Sequence, residues 1–277
     1  MKYIQKSDNK DYMAYIPSEN DMKIIEESIN LLPPLHKKII KERVIEISFI
    51  NDFMQSAWAD WVINKNGDIY CVLAFKRSTL QMDMSQWLNS REKTCFFQDT
   101  SEIDIHIDVG TRYSGFLGIL LHETTHVVDY IENITPFVEA STYALAIMQN
   151  RPLADTYPFI KNVWENNTVP QETHNYGLRD SVTFYGSNNG PKLGISTTKE
   201  IYEQLGTTPF ASLYGSKNWA DDLAEMVLFY HLTQKLKQPY TIYVMKDTMV
   251  SYSYKPMENQ KVLERFPLTE MFYHSDN

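Results

Sequence analysis

Between Glu102 and Tyr130 the sequence changes period once, and that change constrains the centre of any fold the chain can adopt. In "EIDIHIDV", Ile103, Ile105, Ile107 and Val109 alternate with Glu102, Asp104, His106 and Asp108. This alternation predicts a strand with one buried face. Gly110 ends the strand, and either Thr111 or Ser114 can cap a helix beginning just after it. From there the apolar residues Leu117, Leu120, Leu121 and Val128 recur at helical spacing through "GILLHETTHVVDY", up to about Ile134 and short of Pro136.

On that helix His122 and His126 lie four residues apart, one turn above the other on a single face. Two imidazoles so placed can aim at one point, as two ligands of a tetrahedral metal must. Asp129 continues the same stripe. Glu123 is rotated about 100° from His122, so it flanks such a metal instead of binding it and can accept a proton from metal-bound water. A longer motif with a third histidine is ruled out, because it needs glycine at 129 and histidine at 132, where this chain has Asp129 and Glu132.

The third ligand must come from elsewhere. Glu139 is the nearest downstream acid and fits poorly, lying about 4–5 Å along the axis from His126 if the chain reverses near Thr135. The better source is "YGSKNWADDLAEMVLFYH" (214–231), where Asp221 and Glu225 share a helix face. Asn218 is a good N-cap for that helix, and capping accounts for Asp221 and Asp222 without any metal. It does not account for Glu225, a full turn inside among Leu223, Ala224 and Met226, where an acid needs a cation or a histidine. One acid can bind the metal while the other orients a histidine. Glu172 is a further fallback.

The surrounding chain predicts an α+β protein. Residues 19–42 read as helix interrupted by Pro33 and Pro34. Strand-like runs occupy 43–50, 68–75 and 93–98, the last expected to pair antiparallel with 102–109 across the "DTSE" turn. Helices are expected at 137–149, 155–167, 198–205 and 218–237, around a loop at 185–194, with a hairpin at 240–254. Hence two parts are expected in one compact unit: a sheet-and-helix lobe over 1–135 that ends in the histidine helix, and a mostly helical lobe over 136–277.

Composition narrows the classes. A net charge of −9 argues against nucleic acid and anionic membrane surfaces as partners. No apolar run reaches the ~18 residues of a membrane span. Residues 1–12 lack the apolar core of a signal peptide, so the expected location is cytoplasmic, or a leader was removed. Cys71 and Cys95 sit in apolar surroundings and read as buried free thiols.

With these residues in place, the chain resembles the zinc metallopeptidases of the zincin fold that use an acidic third ligand, the gluzincins. "HETTHVVDY" is similar to the active-site helix of thermolysin-like and lethal factor-like peptidases. "YGSKNWADDLAE" resembles the lethal factor-type segment, a Tyr-Gly pair before a helix reading Asn-x-Ala-Glu-x-x-Ala-Glu. The resemblance implies Zn²⁺ held by His122, His126 and Asp221, with Glu225 on the acid of the next turn and Tyr214 on the tyrosine that polarises the scissile carbonyl. It departs at Asp221, one methylene shorter than glutamate, so either the helix moves closer or Glu225 takes the ligand role. The spacing of roughly 95 residues between the motifs implies an inserted helical region.

The function so implied is hydrolysis of a peptide or protein substrate, with Glu123 as general base. By the same analogy substrate adds as a strand to a sheet edge, for which 93–98 is the expected edge. The other readings are a zincin-like scaffold used for protein binding without catalysis, and a zinc hydrolase acting on a small amide.

Overall fold

The computed structural model describes residues 12–66, 68–100, 102–138, 144, 147 and 156–274. In chain order the elements are β1 (Ala14–Tyr15), α1 (Glu19–Leu31), α2 (Pro34–Arg43), β2 (Val44–Ile50), β3 (Ala57–Ile63) and β4 (Ile69–Lys76). Then come α3 (Met84–Lys93), β5 (Phe96–Phe97), β6 (Ile103–Asp108), α4 (Gly115–Glu132), β7 (Trp164–Asn166), β8 (Val169–Pro170) and β9 (Leu193–Gly194). The chain finishes with α5 (Thr198–Leu205), α6 (Trp219–Tyr230), β10 (Thr241–Lys246), β11 (Met249–Tyr254) and α7 (Gln260–Leu263). The protein is α+β. None of the described helices is long and apolar enough to cross a membrane.

One sheet has the order β1-β2-β4-β3, parallel between β2 and β4 and antiparallel elsewhere. A second has the order β11-β10-β6, antiparallel throughout, with Ile105 opposite Val244 and Ile107 opposite Ile242. The late hairpin therefore completes the sheet that the early alternating strand begins, and the two halves of the chain share one hydrophobic core.

Helix α4 lies inside that core. Ser114 caps its start by accepting from the Leu117 amide, and Asn133, in the left-handed region at φ 55°, ends it. Of its 18 residues, 14 are buried, so the helix is enclosed nearly all round instead of presenting one apolar stripe. Thr124 and Thr125 survive there because their hydroxyls bond back to the carbonyls of Leu120 and Leu121. Asp129 has turned away from any ligand role to close the helix: it accepts from the amide of Thr135 at 2.7 Å and from its hydroxyl at 2.6 Å.

Several expectations need correction. The run 93–98 is not an extended strand beside 102–109. Helix α3 covers its start, capped by Asp83 in a reciprocal pair with Gln86. The remnant β5 pairs parallel with β9. Strand β6 finds its partner in β10 instead. The described part of 155–167 is a turn followed by β7, which pairs antiparallel with β8. Strand β3, with no clear alternation in "AWADWVI", is an addition to the expected elements. The helix expected over 137–149, with Glu139, falls almost wholly outside the described residues. Cys71 and Cys95 are free and buried.

Helix α3 crosses α4 where Gly115 and Gly118 leave room for Trp87. A Cβ on Gly118 would stand 2.7 Å from Trp87 Cζ3, and one on Gly115 2.8 Å from Trp87 Cβ. Gly118→Ala is expected to destabilise the protein, because overpacking costs about 1–3 kcal/mol and the helix propensity of alanine returns at most about 1 kcal/mol. A lowered urea midpoint checks this; an unchanged or raised one would mean that Trp87 moves aside freely.

Candidate metal centre

Helix α6 packs along α4 and brings the second motif to the first. Its start is fixed by Asn218, whose Oδ1 accepts from the Asp221 amide at 2.9 Å. The Asn218 side-chain amide donates in turn to Asp221 Oδ2 at 2.6 Å. The cap therefore holds one oxygen of Asp221 and leaves the other, Oδ1, aimed at the histidines. That oxygen lies 3.5 Å from Nε2 of both His122 and His126, and the two Nε2 atoms are 3.2 Å apart.

These three atoms form a triangle of the size that a small ion requires. Nitrogen and oxygen ligands at 2.0–2.1 Å in a tetrahedral shell stand roughly 3.3–3.4 Å from one another. Among the described residues, His122, His126 and Asp221 are the group of metal-ligating side chains that converges in this way. Glu172, on an exposed turn, is not part of it.

Glu225 approaches from the other side of the ring. Its Oε1 is 3.0 Å from His122 Nδ1, so the two acids of α6 meet different nitrogens of one imidazole. Glu225 is fully buried and also accepts from Arg91 Nη1 at 2.8 Å, Arg91 Nη2 at 2.7 Å and Ser212 Oγ at 2.7 Å. Burial pushes its pKa up, but Arg91 and His122 outweigh that and hold it well below the usual carboxylate range. The same balance acts on Asp221, where bonds from His122 and His126 overcome burial and keep the carboxylate ionised. For His122 burial alone would lower the pKa; the bonds to Asp221 and Glu225 raise it instead to about 10.

Glu123 faces a cavity of about 430 Å³ that His122, Tyr214, Tyr185, Trp87 and Arg91 also line. Tyr214 sits on the turn before α6, its ring 5.6 Å from that of His122 and 4.8 Å from the Arg91 guanidinium. The turn is pinned by Arg179, which donates to the carbonyls of Ser216 and Lys217. Gly215 lies against α6, where a Cβ would come within 3.2 Å of Glu225 Cβ. The negative charge of Asp221, followed by burial, raises the Tyr214 pKa well above its ordinary value, so its hydroxyl stays a donor. A smaller cavity of about 210 Å³, lined by His126, Asp129, Tyr130 and Trp61, opens on the far side of His126.

The structure thus brings together His122, Glu123, His126, Tyr214, Asp221 and Glu225. Sequence reasoning missed Arg91 and Ser212. The depth of Glu225 signalled that a cation was needed, but nothing in the sequence says which of the 26 lysines and arginines supplies it. Compared with protein-family models, with curated proteins and with solved structures, the chain shows no match, so the site is read from its geometry alone.

In metal-free protein, a pKa raised from 6.5 to about 10 makes the stabilisation by His122 complete below about pH 6.5 and lost as pH rises through about 10. Urea unfolding in chelator should therefore show the stability gap between wild type and His122→Gln narrowing from pH 6 toward pH 10. A gap independent of pH would show that the ring is not held as imidazolium.

Proposed function

We propose that this chain is a zinc-dependent metalloendopeptidase with a zincin-like arrangement, in which His122, His126 and Asp221 hold the metal and Glu225 orients His122. The observation that carries the reading is the Nε2–Nε2–Oδ1 triangle, whose edges suit a tetrahedral ion with two imidazoles and a carboxylate. Zinc bound there would polarise a peptide carbonyl and acidify the attacking water.

The chain's own groups account for the proton movements. Glu123, beside the metal ligands and open to the larger cavity, takes the proton from the attacking water and returns it to the leaving amine. Tyr214, kept protonated, donates to the oxygen that becomes negative as the carbonyl is attacked.

A peptide substrate is favoured over a small amide by β3. This strand ends its sheet and lies against α4. Ser56 O accepts from Lys76 N, and Asn64 N donates to Asp68 O, so the even-numbered residues bond inward to β4. The backbone groups of Ala57, Ala59 and Trp61 therefore point away from β4, to an edge that no other described strand covers, with the Trp61 amide held by Asp60 Oδ1. Ala57 lines the larger cavity and Trp61 the smaller, so the edge runs past the histidines from one to the other, roughly 13 Å of extended chain. A substrate strand added here would lay its scissile bond across the centre. This edge replaces 93–98, which the fold uses for α3 and β5.

Glu123→Gln should retain zinc and lose 10²–10⁴-fold in kcat on a peptide library, an effect typical of a general base. Tyr214→Phe should lower kcat about 10²–10³-fold, and Asp221→Ala should lose the metal. Full activity in Glu123→Gln, or digestion insensitive to chelator, would sink the proposal. Zinc bound without cleavage of any peptide would favour the scaffold reading, and cleavage confined to small amides the other hydrolase.

A further inference from the structure

We infer that Arg91, which belongs to neither motif, is the positioning residue of this centre: it locks Glu225, and through Glu225 the orientation of His122. The inference rests on the zinc reading above. Arg91 and Glu225 form a two-pronged pair between α3 and α6, with side chains 3% and 0% exposed. Paired fork to fork, the two planar groups have little freedom to rotate against each other.

The other two bonds complete the lock. Oε1 receives Arg91 Nη1 and faces His122 Nδ1, while Oε2 receives Arg91 Nη2 and Ser212 Oγ. A carboxylate offers about four acceptor positions, and all four are engaged. Glu225 therefore cannot turn, and the line from its Oε1 to Nδ1 fixes the ring plane. With Nδ1–H donated to Glu225, Nε2 is the nitrogen left to give its lone pair to a metal, once the proton it shares with Asp221 Oδ1 is displaced. The guanidinium also lies over two aromatic rings, 5.1 Å from Trp87 and 4.8 Å from Tyr214. Trp87 is in turn wedged against α4 at Gly118. Arg91 thus joins the wall of the larger cavity to the back of the metal site.

A purely structural ion pair would affect folding and leave metal affinity alone, so the deciding measurement is the zinc dissociation constant, read by competition with a chromophoric chelator. Three variants are compared with wild type: Arg91→Lys, which keeps the charge and loses the fork; Glu225→Gln; and the doubly neutral Arg91→Gln/Glu225→Gln, which leaves no unpaired buried charge. Each should bind zinc 10- to 100-fold more weakly, the usual effect of removing a group that orients a ligand. The double variant should be no weaker than Glu225→Gln alone, since Arg91 acts through Glu225. Wild-type affinity in Arg91→Lys, or in the doubly neutral protein, would overturn the inference, as would a further loss in the double variant. Failure of wild type to bind zinc would instead overturn the metal reading itself.

Discussion

Helix α4 is packed on almost every side, and this constraint governs the rest of the molecule. Its histidine face is largely closed off from solvent: His122 is only 5% exposed and the His126 side chain 27%. Whatever meets that face must be polar and must be delivered by another buried element. Helix α6 does this, and it carries three acids into the core to do so: Asp221 partly exposed, Asp222 and Glu225 fully buried. An unpaired carboxylate at such depth is costly, so the arrangement depends on supplying each with donors.

The donors are divided so that α6 has one acceptable rotation. Asp222 turns away from the histidines and takes a two-pronged bond from Arg265 at 2.9 and 2.7 Å, with Trp164 Nε1 at 2.9 Å. Glu225 takes Arg91 in the same manner. Rotating the helix by one residue, about 100°, so that Asp222 took the place of Asp221 would leave Arg265 facing Leu223 and Arg91 facing Met226, stranding both arginines. Buried pairs of this kind add little net stability, yet breaking one by removing a partner costs about 3–5 kcal/mol. Their effect here is to exclude the wrong rotation, and the correct one points Asp221 Oδ1 at both Nε2 atoms.

The features legible in the sequence are local. The spacing of His122 and His126, the position of Asn218 and the alternation of 102–109 each encode geometry within one element, and each reappears in the structure within a residue or two. The hidden features are relational. Helix α3 reads "MSQWLNSREK", too polar to advertise a buried helix, because its inward residues include Arg91 and Glu92, paired with Glu225 and Tyr202. Strand β3 is hidden for a related reason: it packs aromatic side chains such as Trp61 onto Tyr130 at 4.2 Å, and no solvent-facing polar series marks its period. The partner of β6 lies more than 130 residues downstream, beyond the reach of turn signals. Polar residues that serve buried partners break the pattern from which elements are read.

The presence of an aspartate beside both Nε2 atoms can be understood in the same terms. The cap positions the shorter side chain: Asn218 holds Oδ2, which leaves Oδ1 3.5 Å from Nε2 of both imidazoles. The longer acid one turn on is committed to Nδ1 by Arg91 and Ser212, so it cannot swing round to the Nε2 side without abandoning three donors. Side-chain length and ring nitrogen are thus matched, short acid to Nε2 and long acid to Nδ1. This division of labour separates two residues that their shared helix face left indistinguishable.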